Sequence, residues 1–573
     1  MSLTRPHVHT PRLLSLVDVI IFLGIIGLFA GLLEVAAYWR APFHETVVID
    51  LSPAALPFYT FCSFARGLAS YLLSLVFTLV YGYAAAKQPK AERLLIPFLD
   101  VLQSVPILGF LPGVLLALIS LFPHTNIGLE LTAILMIFSS QAWNMTFSFY
   151  SSLRSIPPEL NEAADLSGWS WWQRLVRLEV PAAMLGLILN SMMSVAGGWF
   201  FLMVAEAFVL GDHDFRLPGI GAYMSVAVEH GDWTAVAWAI GAMALMIVML
   251  DALIWRPLIV WAQKFKFEET ESQEHPQSLV LDWLRHAAFW GRSIEAIGRT
   301  LHRGMERYAR PAPSASQPAG WLAAAGTAAR LALMVVIGVG VLFGGNQLIR
   351  LLAGLTPGQW RTITQAAGWT TLRTTIATVL GSLWTIPLGV AIGRQPRLAR
   401  LLQPVIQVVA AFPATMLFPL ALLVMHVIGV ELHWGAVVLM MLGTQWYILF
   451  NVIVGAMSLP TDLQEAADVY GIKGWRLWRT LILPGIFPSL VTGWETAAGG
   501  AWNASIVAEY VRVHGQVHHT IGLGALISLG AEHGNYSMMA GSVLAMVAIV
   551  VIINRCLWHP LYHLAETRFA LNA

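Results

Sequence analysis

Charge is scarce in this chain. Only 11% of its 573 residues are Asp, Glu, Lys or Arg, against about 25% in an ordinary soluble domain. With 57% hydrophobic residues and a mean hydropathy of +0.68, so much apolar surface cannot be hidden in one soluble core. A net charge of +1 leaves no electrostatic footprint for nucleic acid. Cysteine is nearly absent: Cys62 and Cys556 stand near opposite ends, outside any CxxC or Cys/His spacing, so both are expected to be free thiols. His230, His426 and His533 lack ligand spacing, and no metal site is expected. No G-x-x-x-x-G-K-[ST] motif occurs, so no P-loop is present and no catalytic residue is assigned.

What is abundant is long apolar runs. About 20 such residues cross a bilayer as a helix, and a helix satisfies its own backbone hydrogen bonds in lipid. Twelve spans are predicted, at 17–38, 58–86, 97–121, 129–150, 181–210 and 233–262, then 327–352, 366–393, 404–430, 434–457, 484–511 and 534–560. The first is too long for a signal-peptide core and reads as a retained span. Lys87, Lys90, Arg93, Arg154, Arg174 and Arg177, with Arg394, Arg397, Arg400, Lys473, Arg476 and Arg479, fall on one side if both termini are cytoplasmic.

Shifting the chain by 303 residues aligns Pro157 to Leu258 with its second half without a gap. Trp172 meets Trp475, Pro181 meets Pro484, Trp199 meets Trp502, Glu206 meets Glu509, and Glu229-His230-Gly231 meets Glu532-His533-Gly534. Upstream the shift is 307, placing Arg66 on Arg373 and Pro106 and Pro112 on Pro413 and Pro419. The expected organisation is a first transmembrane domain (1–262), a cytoplasmic linker (263–326) and a second transmembrane domain (327–573). An even number of spans per half makes this a parallel repeat about an axis along the membrane normal. In the linker, apolar residues from Leu281 to Tyr308 recur at helical spacing with Arg285, Arg292, Arg299 and Arg303 off the stripe, fitting an amphipathic surface helix or one packed on the protein.

One pattern stands twice on the basic side, between the fourth and fifth spans of each half. Glu162-Ala163-Ala164-Asp165 is followed by Gly168 and then Leu178-Glu179-Val180-Pro181. Glu465-Ala466-Ala467-Asp468 is followed by Gly471 and then Leu481-Ile482-Leu483-Pro484. Each glycine suits a left-handed helix end, and a second short helix (169–177 or 472–480) is expected before each proline. Here the chain resembles the permease subunits of binding-protein-dependent ABC importers, whose equivalent loops dock on a cytoplasmic ATPase. Leu replaces the usual Ile, and Val180 the usual Leu. Thr371-Leu372-Arg373-Thr374 leading to Pro387-Leu388-Gly389, and Trp502 with Ala508-Glu509 and Gly522-Leu523-Gly524, resemble the nitrate/taurine/bicarbonate group.

The resemblance implies an all-α membrane protein of two fused six-helix type I importer domains, in a bacterial inner membrane. It implies two cytoplasmic ATPase subunits or domains that carry the ATP and Mg, a periplasmic or extracellular solute-binding protein, and a small anion or sulfonate as cargo. The chain itself would bind no cofactor. An ion-coupled secondary transporter is the alternative, with Glu206 and Glu509 as its slender support.

Polar residues inside spans are functional candidates by default. Those at the expected pathway between the halves are Trp199, Glu206, Trp502, Asn503, Glu509, Arg66 and Arg373. Arg66 and Arg373 could pair with the glutamates or attract an anion; the competing structural reading packs the tryptophans in the core, lets the glutamates cap backbone, and lets the arginines snorkel. Asn503 meets Phe200 and Gln445 meets Ala142, an asymmetry suited to one off-axis solute site.

Overall fold

The computed structural model describes residues 16–41, 48–104, 106–210, 213–265, 335, 338–340, 342–513 and 516–569. The predicted linker helix lies outside them, as do residues 327–334, 336, 337 and 341 of the predicted span 327–352. The first helix, α1 (Leu16–Arg40), is followed by ten helices of the first half. These are α2 (Leu56–Lys87), α3 (Pro89–Ser104), α4 (Leu111–Leu121), α5 (Ile127–Arg154), α6 (Pro158–Leu166), α7 (Trp171–Arg174), α8 (Val180–Glu206), α9 (Ile220–His230), α10 (Trp233–Leu250) and α11 (Arg256–Ala262). The second half repeats them ten numbers later: α12 (Pro357–Gly393), α13 (Pro396–Ala411), α14 (Phe418–Val427), α15 (Leu432–Met457), α16 (Thr461–Val469), α17 (Gly474–Leu477), α18 (Leu483–Ala508), α19 (Leu523–Glu532), α20 (Tyr536–Ile553) and α21 (His559–Arg568).

Seven helices among the described residues are long and apolar enough to cross a membrane, or eight if one bent pair is a single span. The expected twelve are corrected in detail. Segment 97–121 is not one helix: it is α3, a 3-10 turn at Ile107–Phe110 and α4. Its counterpart at 404–430 bends by 82° between Val405–Ala411 and Ala414–Val427. Pro106 and Pro112, and Pro413 and Pro419, supply no backbone N–H and restrain the residue before them, so an uninterrupted helix is disfavoured at both places. Helices α5 and α18 have spanning length but fall outside the seven. Gln141 and Thr146 on α5, and Trp502 and Ser505 on α18, are buried among neighbouring helices rather than offered to lipid.

Proline also explains a second recurring feature. Wider π-turns occupy Leu175–Glu179, Asp251–Trp255, Trp478–Ile482 and Asn554–Trp558. Each ends two residues before a proline, at Pro181, Pro257, Pro484 and Pro560. A proline in a helix interior clashes with the carbonyl four residues back and cannot bond to it; a π-turn absorbs the misfit without ending the helix. The predicted short helices at 169–177 and 472–480 are therefore not separate elements. The chain is one continuous helix from Trp171 to Glu206, and α17, its π-turn and α18 follow without a break.

Two small antiparallel hairpins were not expected within the ends assigned to the fifth and eleventh spans. They pair Val209 with Asp214 and Leu210 with His213, and Tyr510–Val513 with Gln516–His519. The spans accordingly stop at Glu206 and Ala508, not at 210 and 511.

The halves interlock. Leu108, from the broken segment of the first half, packs with Trp502, Ile506 and Ile527 of the second. Ala411 and Met416 pack reciprocally into the first-half core beside Trp199 and Met243. The backbone N–H of Ile107 donates to Asn503 Oδ1 at 2.9 Å. Cys62 is buried, Cys556 is exposed, and both are free.

Candidate functional site: coupling loops and central cavities

Each Glu-Ala-Ala segment folds as a short helix closed by a left-handed glycine. Gly168 and Gly471 both have φ of +64°. The N–H of Gly168 donates to Asp165 O and that of Trp169 to Ala164 O, at 3.0 and 3.1 Å. Gly471 and Ile472 repeat the pair on Asp468 and Ala467, at 3.1 and 2.8 Å. This is the Schellman arrangement, which satisfies carbonyls that a helix end would leave unpaired. A Cβ on either glycine would meet nothing within 4 Å, so backbone conformation rather than space demands glycine.

Ala164 and Ala467 are the buried members of their segments, while Glu162, Ala163, Asp165, Glu465 and Asp468 are exposed. Around them large apolar side chains stand in the open: Leu166 at 90%, Val469 at 84%, Tyr470 at 81% and Trp475 at 72% exposure. Pro181 and Pro484 open the α-helical stretches beyond the π-turns. The second part of each loop, from Trp171 and from Gly474, is thus continuous with α8 and α18.

The two loops are held differently. In the first, Arg174 binds Asp165 at 2.7 Å and Asn161 at 2.7 Å. The buried carboxylate of Glu179 meets Lys87, at the end of α2, at 2.5 Å and Arg174 at 3.4 Å. Trp171 Nε1 donates to the Tyr83 hydroxyl at 2.6 Å. In the repeat these positions are Leu477 for Arg174, Ile482 for Glu179, Arg394 for Lys87, Gly474 for Trp171 and Val390 for Tyr83. There Val390, Ile482, Leu477 and Trp478 make an apolar contact instead.

At the far ends of α8 and α18 sit two related buried ion pairs. Arg66 Nη1 binds Glu206 at 2.7 Å, and its other nitrogens bind Glu130 at 2.6 and 2.7 Å. Ser63 Oγ donates to Glu206, and the Gly221 N–H adds a bond of 2.9 Å. Arg373 binds Glu509 at 2.8 Å, Thr370 replaces Ser63, and the Gly524 N–H replaces that of Gly221. His433 stands where Glu130 stands and meets Arg373 through its carbonyl and Nδ1, each at 3.0 Å. A Cβ on Gly219 would lie 2.3 Å from the Glu206 carboxylate, and one on Gly522 2.1 Å from that of Glu509. The repeated glycines thus make room for the glutamates. All four charged residues are essentially inaccessible, so the arginines do not snorkel. Sequence reading named both pairs but missed Ser63 and Thr370, one helical turn before their arginines, and Glu130 and His433, which lie 64 and 60 residues from their arginines and follow no local spacing.

Two cavities lie between the halves. One, of about 390 Å³, is lined by Trp199, Trp255, Trp446 and Asp251; the other, of about 290 Å³, by Trp143, Trp502, Trp558, Asn503 and Glu495. Of the pathway candidates, Trp199, Trp502 and Asn503 line these cavities. Arg66, Arg373, Glu206 and Glu509 are not among the lining residues. Gln445 is buried and accepts from Trp384 Nε1 at 3.1 Å. A third cavity, about 280 Å³, lies toward the hairpins and is edged by Arg216 with Glu229 and by Arg512 with Glu532. Burial and the Glu532 carboxylate push the Tyr510 phenol above its ordinary range there.

Residues 78–254 and again 385–557 match the family described as the binding-protein-dependent transport system inner membrane component. The chain belongs to that family. It is a multi-pass membrane protein carrying two family units in one polypeptide. It is 27% identical over 149 residues to the nitrate import permease protein NrtB of Synechococcus elongatus, covering 26% of this chain and 52% of that protein. It is 26% identical over 182 residues to the taurine transport system permease protein TauC of Escherichia coli, covering 32% and 61%. The putative aliphatic sulfonates transport permease protein SsuC of Escherichia coli is 30% identical over 171 residues, covering 29% and 63%. The chain thus spans between half and two thirds of the length of these relatives.

Proposed function

We propose that this chain is the permease of an ATP-driven importer and supplies both membrane halves of one translocation path. The observation that carries the reading is the duplicated loop. A helix with exposed apolar side chains is closed by a left-handed glycine, and a second helix starting at Trp171 or Gly474 runs without a break into α8 or α18, which line the central cavities. A force applied to Leu166 or Tyr470 would therefore reach the cavity wall across a short hydrogen-bonded, glycine-capped turn and then a continuous helix. The partners are two cytoplasmic ATPase subunits or domains, which hold the ATP and Mg, and a solute-binding protein on the opposite face. Both termini would be cytoplasmic in the inner membrane, as the basic loops favour.

An ion-coupled transporter would need Glu206 or Glu509 to exchange protons with the path, and each is enclosed by arginine, hydroxyl and backbone donors. The relatives' names suggest a small anion or sulfonate as the cargo.

The test is assembly and coupling. The chain expressed with its ATPase should co-purify with it, and a thiol at N503C should change its labelling rate when ATP is added. An isolated chain that never retains an ATPase, with both loops intact, would sink the reading.

A further inference from the structure

The second central cavity lies across the seam of the repeat. Asn144 and Tyr447, Met193 and Thr496, and Phe200 and Asn503 are equivalent at the 303-residue shift, and both members of each pair line it. Within each pair the chemistry differs: an amide and a phenol, a thioether and a hydroxyl, a phenyl ring and an amide. Tyr447 stands where the halves approach closely. A Cβ on Gly197 of α8 would be 3.2 Å from its hydroxyl, and one on Gly500, the equivalent glycine of α18, 3.4 Å from its ring. Gln103 reaches the same wall from the end of α3, just before the Ile107 N–H that ties the first half to Asn503 of the second. Its counterpart at the 307-residue shift, Ala410, lines the first cavity.

Most polar side chains in this wall are engaged. Asn190 donates to Ser148 Oγ at 2.9 Å, Asn451 donates to the Tyr447 carbonyl at 2.8 Å, and Asn503 is held by Ile107 and Gly499. Glu495, whose counterpart Met192 lines the first cavity, and Asn554 have contacts of their own. Three polar ends remain: the Gln103 and Asn144 amides and the Tyr447 hydroxyl. All three side chains are partly exposed, make no hydrogen bond among the described residues, and keep their polar atoms open rather than sealed. Each amide presents a donor and an acceptor, and the phenol can act as either. No Lys, Arg or His stands among the described residues lining this cavity, so a solute with net charge would give up hydration without meeting a cationic counter-charge.

We propose that Gln103, Asn144 and Tyr447 select, in this cavity, a small uncharged organic solute with a carboxamide or urea group on a flat apolar body. Such a group pairs its donors and acceptors with the two amides and the phenol. The indoles of Trp143, Trp502 and Trp558 supply apolar wall for the body. Neutral hydrogen bonds hold a solute loosely enough for it to leave, as a transport path requires. This deepens the permease reading and rests on the cavity being the solute path. The nitrate and sulfonates of the relatives' names are the competing cargo.

The full chain in lipid nanodiscs provides the test, with the thermal unfolding midpoint followed during titration at constant ionic strength. Benzamide should raise the midpoint to a plateau. Sodium benzoate, the same ring with a carboxylate, and sodium nitrate and sodium ethanesulfonate should not. Q103L and N144L should each raise the half-saturating benzamide concentration by about three- to tenfold, and Y447F by about threefold. The ligand-free midpoint shows whether each variant is folded, and Y447F, which removes one oxygen only, serves where a leucine variant fails to fold. A plateau with benzoate, nitrate or ethanesulfonate, benzamide binding unchanged in every folded variant, or no plateau with any probe would each overturn the proposal. ATP-dependent labelling of N503C separates the two readings. If labelling responds but benzamide fails, the path stands and the cargo class falls; if benzamide binds but labelling never responds, the ligand site stands and the path falls.

Discussion

Arg66 Nη1 lies 2.7 Å from Glu206 Oε1, joining residues 140 positions apart where neither is accessible to solvent. The pair ties α2 to the end of α8, and Arg373 with Glu509 does the same for α12 and α18. Desolvating two charges costs as much as their attraction returns, so such a pair is a weak source of net stability. Removing one partner is another matter, because the remaining charge is stranded.

Arg66→Met should therefore destabilise the first half by about 3–5 kcal/mol. It strands two carboxylates, Glu130 and Glu206, whereas Arg373→Met strands Glu509 beside His433. The expected order is a larger loss for Arg66→Met, measured as the midpoint of thermal unfolding in one detergent. Equal or negligible losses would show that the carboxylates find other compensation.

Gly219→Ala should be harmful for a reason that backbone preference does not supply. Gly219 has an extended φ of 178°, open to any residue, yet its Cβ would enter the Glu206 carboxylate. Shortening that side chain with Glu206→Ala should make the added methyl less damaging than it is alone, giving a coupling energy of about 0.5–3 kcal/mol in a double-mutant cycle. Additive effects would contradict direct crowding.

Gly168→Ala tests the opposite case, conformation without crowding. Forcing a side chain into the left-handed region costs about 1–2 kcal/mol, so the loop should fray while the membrane core stays intact. ATPase stimulation in the assembled complex should fall while the unfolding midpoint moves little, and Gly168→Asn should be milder. Unchanged stimulation would remove the loop from the coupling role.

The charge brace predicts unequal loops. Lys87→Met should loosen the first loop by leaving Glu179 to Arg174 alone, while Arg394→Met at the equivalent position should do less, since Ile482 there needs no counter-charge. Protease nicking near Trp171 and near Trp475, compared in the two variants, reads the difference. Equal sensitivity would mean the brace is decorative.

Most of the architecture is legible in sequence because the bilayer imposes a crude rule on composition. The repeat is legible because tryptophan, proline and glycine at fixed offset survive divergence. The breaks at Pro106 and Pro413 were visible as prolines, but hydropathy runs straight across them and reads one span where the chain bends. The hairpin strands are missed because the predicted spans run on through Val209-Leu210 and Tyr510-Val511, past the helix ends at Glu206 and Ala508. At the site, the loops follow from local spacing alone. Glu130 and His433 do not, because their roles depend on how α5 and α15 pack beside α2 and α12, and the asymmetry of Glu495 and Met192 acquires meaning only once both are seen to face related cavities.

The hydrogen bond from Ile107 to Asn503 crosses between halves, and Phe200 occupies the position equivalent to Asn503. Two copies of the first half would offer two phenylalanines at this contact and two methionines in place of Glu495; two copies of the second would offer two asparagines and two glutamates. Carrying both halves on one polypeptide fixes their stoichiometry at translation. Every molecule then receives one wall of each kind, and the genes for the two walls cannot be inherited apart.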